Sequence, residues 1–455
     1  MRPPVFVQLP QRVWQNPLTQ RVLRNTSYLF GANAVSAGLS MVQSVLAARL
    51  LGVAGFGLLG AITQFVTVAN RLTSFRMSEL VVNYVGEFHS QGDDRSAAAT
   101  FKAAGLTEMA SSLLAFGVVA ALAPLASRVL LKDPLAADVI LVYAVVLLAN
   151  LMAESANGLL SAFNRFRWIA LVNVGQSIAT LCLIGAAFVA RGSLFSVVAA
   201  YMIGKSLSAV TLTGMALWLA RAEWGAGWWH TPLTTLAGRR SEMMRFGVST
   251  NINGTVNLVT RDSEILWLSA FSSPLQVGYY KLALAILGFL LIPVDPLINT
   301  TYREVAREVA GRQWANVRYL LRSGTLLAAG FTLPAILLLV IFGQPLMSAL
   351  WGAEFLPTAY DALLILLAGG LAANLLYWSR KTLLSLGLPG YPTLVSLVAA
   401  AVKVVGIILL VPTWGAVGMA VLLAGFFIAT STIQAGRAIV ELKHVARSEP
   451  TPVGG

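Results

Sequence analysis

Twelve apolar stretches of membrane-spanning length follow one another along the chain, near 26–48, 56–74, 104–126, 137–160, 168–190, 194–219, 246–271, 277–300, 323–342, 358–378, 391–411 and 414–436. Roughly 20 apolar residues let a helix cross the hydrocarbon core, and a helix satisfies its own backbone hydrogen bonds there. The intervals between stretches leave no room for a soluble domain. The chain is therefore expected to be an all-α polytopic membrane protein. Its mean hydropathy of +0.74 agrees, as does a charged fraction of 11% where soluble chains carry about a quarter.

A formal charge of +13 would suit nucleic acid in a soluble protein. Here the basic residues lie in short connections, where they set topology, so no nucleic-acid partner is expected. The N-terminal arm, the even-numbered connections and the C-terminal tail hold 23 Lys and Arg; the odd connections hold four, Arg49, Arg128, Lys132 and Arg191. That bias predicts a multi-pass protein of the cytoplasmic (inner) membrane with both termini in the cytoplasm. Residues 1–25 lack an apolar signal core and read as a retained cytoplasmic arm, and 437–455 as a cytoplasmic tail. The single Cys182 excludes an intrachain disulfide. His89, His230 and His444 lack metal-ligand spacing, and neither a phosphate loop nor HExxH occurs, so no metal, cofactor or catalytic group is expected.

Sliding the chain by 224 residues pairs LVYAVVLLANLMAESANGLLS (141–161) with ILLAGGLAANLLYWSRKTLLS (365–385), with nine of 21 positions identical, Asn150 falling on Asn374. The same offset superposes span five on span eleven, so the repeat covers six spans. Six is even, which predicts two six-helix bundles, 26–219 and 246–436, related by a pseudo-twofold axis along the membrane normal. The connection 220–245 carries Trp224, Trp228, Trp229, Arg239 and Arg240 and is expected to lie in the cytoplasmic interface.

Charges inside spans are the informative exceptions. TRDSEILWLSAF (260–271) places Arg261, Asp262 and Glu264 in span seven, too far from its C-terminal end to lie outside the membrane. A charge at the membrane centre costs about 2.5–3.5 kcal/mol on insertion scales, which calls for a wet cavity or a partner. Asn253, Asn257, Arg261 and Glu264 share one helical face. Span one offers Asn33, Ser36, Ser40 and Gln43, span two Gln64 and Arg71, and span eight Lys281, Gly288 and Asp295 with Pro293 and Pro296 bending it. These helices are expected to line one cationic cavity with Arg71, Arg261, Lys281, Asn253, Asn257, Asn33 and Gln43 as substrate contacts. Helix-to-helix hydrogen bonding is the competing role for the uncharged positions. Glu264 is the better helical partner for Arg261, and Asp262 is left for Lys281 or a coupling cation. Asp262, Glu264, Asp295 and Glu154 are the candidate sites for a proton or sodium ion.

ARLLGVAGFGLLGAI (48–62), FRMSELVVNYVGEF (75–88), FSSPLQVGYYKLALAI (271–286), FGQPLMSALWGAEFLPTAYDALLIL (342–366), LGLPGYPTLVSLV (386–398) and VPTWGAVGMAV (411–421) together resemble prokaryotic polysaccharide-biosynthesis flippases, kin to multidrug exporters and lipid II flippases. The resemblance extends from about Thr26 to Gly436. It implies two six-helix bundles around a cationic cavity that opens alternately to each side and carries undecaprenyl-pyrophosphate-linked oligosaccharide outward. It also implies partners among membrane lipids and other polysaccharide-assembly proteins. SFRMSELV departs from the Asp-Leu-Gly-type turn of many relatives, which leaves the roles of Arg76 and Glu79 open. A multidrug exporter of the same superfamily is the alternative, disfavoured by the basic residues of the expected cavity. A membrane enzyme acting on lipid-linked sugars is a further one, disfavoured by short external connections.

Overall fold

A computed structural model describes residues 17–74, 77–133, 136–247, 258 and 263–448. Among these residues every regular element is helical, and the chain folds as two compact units. Nine helical stretches are long and apolar enough to cross a membrane. Two of them each supply two spans, because the helix is interrupted at Gly52 (φ 65°) and at Gly415 (φ 52°). Both glycines hold positive φ, which side chains with a Cβ resist. The short helix preceding Pro274 falls at the C-terminal end of expected span seven, the rest of which lies largely outside the described residues.

α1 (Pro17–Thr73) carries spans one and two, and its residues outside Leu51–Gln64 belong to the N-terminal unit. A 14-residue helix, α2 (Met77–Ser90), follows, where the sequence offered only a connection. Its Met77, Leu80, Val81, Tyr84, Val85 and Phe88 recur at three- and four-residue intervals and are buried, so one face is a stripe packed into the core of the unit. α3 (Asp94–Ala126) begins at an Asp93 N-cap whose carboxylate accepts the Ser96 N–H at 3.0 Å. α4 (Ala137–Ala149), α5 (Ala153–Ala162), α6 (Phe166–Val189) and α7 (Leu194–Trp224) complete the unit. Gly158 of α5 faces α2 so closely that an added Cβ would lie 2.8 Å from the Ser78 carbonyl oxygen.

The connection after α7 forms two short 3-10 turns, Trp228–His230 and Leu233–Arg239, and then the helical stretch 240–247. Trp228 is buried, with its ring 5.4 Å from Phe101 and 6.3 Å from Trp224, so it serves the core of this unit. Arg239 fastens the connection: its guanidinium donates to Glu87 Oε1 at 2.6 Å and to both Glu242 oxygens at 3.0 Å, and it lies over the rings of Tyr84 and Phe88.

The C-terminal unit comprises α8 (Glu264–Phe271), α9 (Pro274–Leu291), α10 (Asp295–Ala310), α11 (Trp314–Leu350), α12 (Leu356–Leu375), α13 (Ser379–Ser385) and α14 (Gly390–Ser448). A 3-10 turn over Ile292–Val294, with Pro293 inside it, separates α9 from α10, as the proline spacing led one to expect. The unit also takes in Leu51–Gln64 and Val129–Lys132. The reason is close backbone packing. A Cβ on Gly57 would lie 1.9 Å from the Pro274 carbonyl oxygen, and one on Gly278 would lie 2.1 Å from that of Val53. Small residues on both helices let the backbones meet, as at many interfaces within lipid. Span nine is longer than the apolar stretch suggested, because α11 begins nine residues earlier with Arg318 and Arg322 on its polar first turns.

Candidate functional site

Span four is two helices rather than one. α4 stops at Ala149, a turn runs through Asn150–Met152, and α5 restarts at Ala153. Met152 stands at the N-cap position with no side-chain oxygen to offer, so the first N–H groups of α5 need an acceptor from elsewhere. Glu108 of α3 supplies it. Its two oxygens accept the N–H groups of Glu154 at 2.7 Å and Ser155 at 2.8 Å, in a position only 3% exposed. A carboxylate facing a helix N-terminus meets both the donors and the positive end of the helix dipole.

This capped break forms one wall of a polar cavity of about 290 Å³ within the N-terminal unit. Asn70 from α1, Asn157 and Glu154 from α5, Gln176 from α6 and Lys205 from α7 also line it. The Lys205 ammonium sits 5.5 Å from the ring centroid of Tyr143 and has no carboxylate partner among the described residues. At about 30 Å³ per liquid water, the space suits a handful of waters and a cation.

Two cationic features mark the C-terminal unit. Glu264 and Lys403, 3% and 4% exposed, form a buried ion pair, and the Tyr280 hydroxyl donates to the same carboxylate. Lys403 also lies 5.4 Å from the Phe426 ring centroid. Lys281, one residue along α9 from Tyr280, makes different contacts. Its ammonium lies 3.9 Å from the centroid of Phe56 and donates to the Phe56 carbonyl oxygen at 3.2 Å. Gly60 leaves room for its stem, since a Cβ there would be 2.8 Å from Lys281 Cδ. Among the described residues no carboxylate neutralises Lys281.

The residues expected to share one cavity are placed as follows. Asn253, Asn257, Arg261 and Asp262 lie outside the described residues, as does Arg76. Asn33 is exposed on α1, whereas Gln43 is buried and its amide donates to the Ser177 carbonyl at 2.8 Å, linking α1 to α6. Gln43 is therefore placed as a contact between helices. Arg71 is exposed in the last turn of α1, next to cavity-lining Asn70. Asp295 is exposed at the first position of α10. Of the ion candidates, Glu154 reaches the polar cavity, and Glu264 is engaged by Lys403. Helical spacing does not single out Glu108, although an acid inside an apolar span is signal enough to do so.

The helical fold is similar to that of solved multi-pass membrane transporters. Similar solved structures include a multidrug resistance MATE family transporter in its inward-facing conformation, with a TM-score of 0.71 and 11% identity over 91% of this chain and 96% of that one. The lipid II flippase MurJ, inward closed, has a TM-score of 0.68 and 14% identity over 93% of each chain. A MOP superfamily transporter from Pyrococcus furiosus, described by the reverse polarity of its binding pocket, has a TM-score of 0.61 and 12% identity over 93% of this chain and 96% of that one. No curated protein matches the chain. The family model of the polysaccharide biosynthesis proteins matches residues 22–302, and the chain belongs to that family.

Proposed function

We propose that the chain is an alternating-access flippase of the cytoplasmic membrane, with both termini in the cytoplasm, that moves undecaprenyl-pyrophosphate-linked oligosaccharide outward for surface polysaccharide synthesis. The observation that carries this reading is Lys281, a cation inside a spanning helix with an aromatic ring and one carbonyl as neighbours and no carboxylate among the described residues. An ammonium so placed retains donors for an anionic headgroup, and a pyrophosphate crossing hydrocarbon needs such charge-assisted contacts. Family membership supports the sugar class. Moving negative charge out of an inside-negative cell releases about 2.3 kcal/mol per charge per 100 mV, so the membrane potential contributes to the drive.

Coupling to a proton or sodium ion, if the cycle uses one, belongs to the Glu108–Glu154 cavity in this reading. Glu264 is disfavoured, because Lys403 already supplies the cation there. A non-enzymatic role fits the transporter fold. The alternative, export of lipophilic cations, draws on the acids of the N-terminal cavity and on the MATE-like fold.

Complementation of a strain lacking the endogenous gene separates these readings. Lys281→Ala should abolish surface polysaccharide at normal membrane abundance, and Lys281→Arg should retain part of it, since the charge persists. Full polysaccharide with Lys281→Ala would overturn the role assigned to this residue. Protein-dependent resistance to lipophilic cations without effect on polysaccharide would favour the exporter.

A further inference from the structure

A second cavity, an open groove of about 440 Å³, runs between α2, α3 and the connection that follows α7. Its floor is apolar, with Met77 and Leu80 of α2, Ala104 of α3, and Leu236 and Met243 of the connection. At its mouth Leu106, Leu233 and Met244 are exposed by 38%, 44% and 61%. Among the described residues, one charged residue lines it, Arg240.

The adjacent arginines have opposite situations. Arg239 is committed to Glu87 and Glu242, and that commitment fixes the connection as the outer wall of the groove. Arg240 is exposed, lines the groove and has no ion pair among the described residues. Nearby, Lys102 is held by the Thr231 carbonyl and lies over the exposed Trp229 ring, an arrangement suited to the level of lipid headgroups. The distribution of Lys and Arg along the chain puts this end of the unit at the cytoplasmic leaflet, where anionic lipids attract basic side chains.

We propose that this groove is a binding site for an anionic glycerophospholipid of the cytoplasmic leaflet, with one acyl chain on the apolar floor and the phosphate against Arg240. Three features converge on that occupant. The floor accepts only hydrocarbon, and its methionines adapt to a flexible chain. Arg240 at the mouth is positive and complements a phosphodiester. The volume falls in the range of ordinary small-ligand sites, about 300–1,000 Å³, which suits one acyl chain and not the much longer tail of a polyprenyl carrier. The site lies within the N-terminal unit, and its lining residues differ from those of the Glu108 cavity. A lipid seated there would brace the connection against α2 and α3.

The test uses the full chain in nanodiscs. Binding of spin-labelled phosphatidylglycerol and phosphatidylcholine with identical acyl chains is compared for the unmodified protein and for Arg240→Ala, Thr107→Trp and Arg245→Ala. Thr107 is an exposed residue on the groove wall, and Arg245 is an exposed arginine that does not line the groove. Loss of one basic contact at a membrane surface corresponds to about a fivefold fall in affinity. Arg240→Ala should lose about that factor for phosphatidylglycerol only, Thr107→Trp should weaken both lipids by blocking the floor, and Arg245→Ala should leave both unchanged. Equal binding of the two lipids to the unmodified protein would overturn the proposal. So would an equal loss from Arg245→Ala, which would mean diffuse surface charge. Displacement of phosphatidylglycerol by a stoichiometric polyprenyl phosphate would assign the groove to the carrier tail and overturn the occupant named here.

Discussion

At the scale of single residues, the charges within and beside the membrane fall into two kinds, those consumed by the fold and those left with capacity to bind. Glu264 and Lys403 are of the first kind. Removing one partner of a buried pair leaves an uncompensated charge, at a cost of about 3–5 kcal/mol, while replacing both with apolar residues is far milder. Glu264→Leu or Lys403→Met alone should lower thermal stability in detergent sharply, and the double variant should recover most of it; a double variant as unstable as the worse single one would refute the pairing. Arg239 is also consumed, outside the spans. Its hydrogen bonds hold the carboxyls of Glu87 and Glu242 below the usual carboxylate range, burial and the nearby carboxylates push the Tyr84 hydroxyl up, and the guanidinium itself is held more firmly protonated. A carboxyl with a lowered folded pKa contributes stability above its unfolded value, about 4.3, and loses it as pH falls through the folded value. The connection should therefore stay docked at neutral pH and loosen only below about pH 4. Hydrogen exchange over 228–247 checks this, and loosening that begins near pH 6 would point to a different group.

At the scale of elements, the sequence was legible wherever hydrophobicity or proline sets the outcome. The apolar stretches located the spans, and Pro293 marked the turn before α10. The 224-residue repeat reappears in the backbone. Span four breaks at Asn150–Met152, and its counterpart breaks between α12 and α13, where Asn374 donates to the Leu290 carbonyl and to Thr332. What stayed hidden depends on which faces meet. Helical spacing put Gln43 on a polar stripe, yet a stripe does not say whether its partner is water or the Ser177 carbonyl. Likewise α2 read as a connection, because 14 residues cannot span and its apolar face is visible only once a helix is assumed. The approach of Gly278 to the Val53 carbonyl is a similar product of packing. Gly278→Val forces a shift of backbone, so it should cost about 1–3 kcal/mol, as overpacking does. A melting temperature unchanged in that variant would mean that the two helices do not touch there.

At the scale of the whole molecule, the chain belongs to the polysaccharide biosynthesis family and its fold is similar to that of solved transporters, and the proposed cargo rests on charge. Composition was enough to exclude a soluble protein. It could not locate the polar cavity, because Glu108, Glu154 and Lys205 come from three different helices whose proximity only the tertiary fold creates. The most direct test of the central claim is the flipping of a fluorescent undecaprenyl-pyrophosphate-linked oligosaccharide in proteoliposomes, read by access of an impermeant quencher under imposed potassium-valinomycin, proton and sodium gradients. The account predicts protein-dependent flipping that an imposed potential of the favourable sign accelerates and that Lys281→Ala abolishes. If a proton or sodium gradient also accelerates flipping, Glu108→Gln should remove that response. Flipping no faster than in empty vesicles, by protein that is folded and still transports a lipophilic cation, would contradict it.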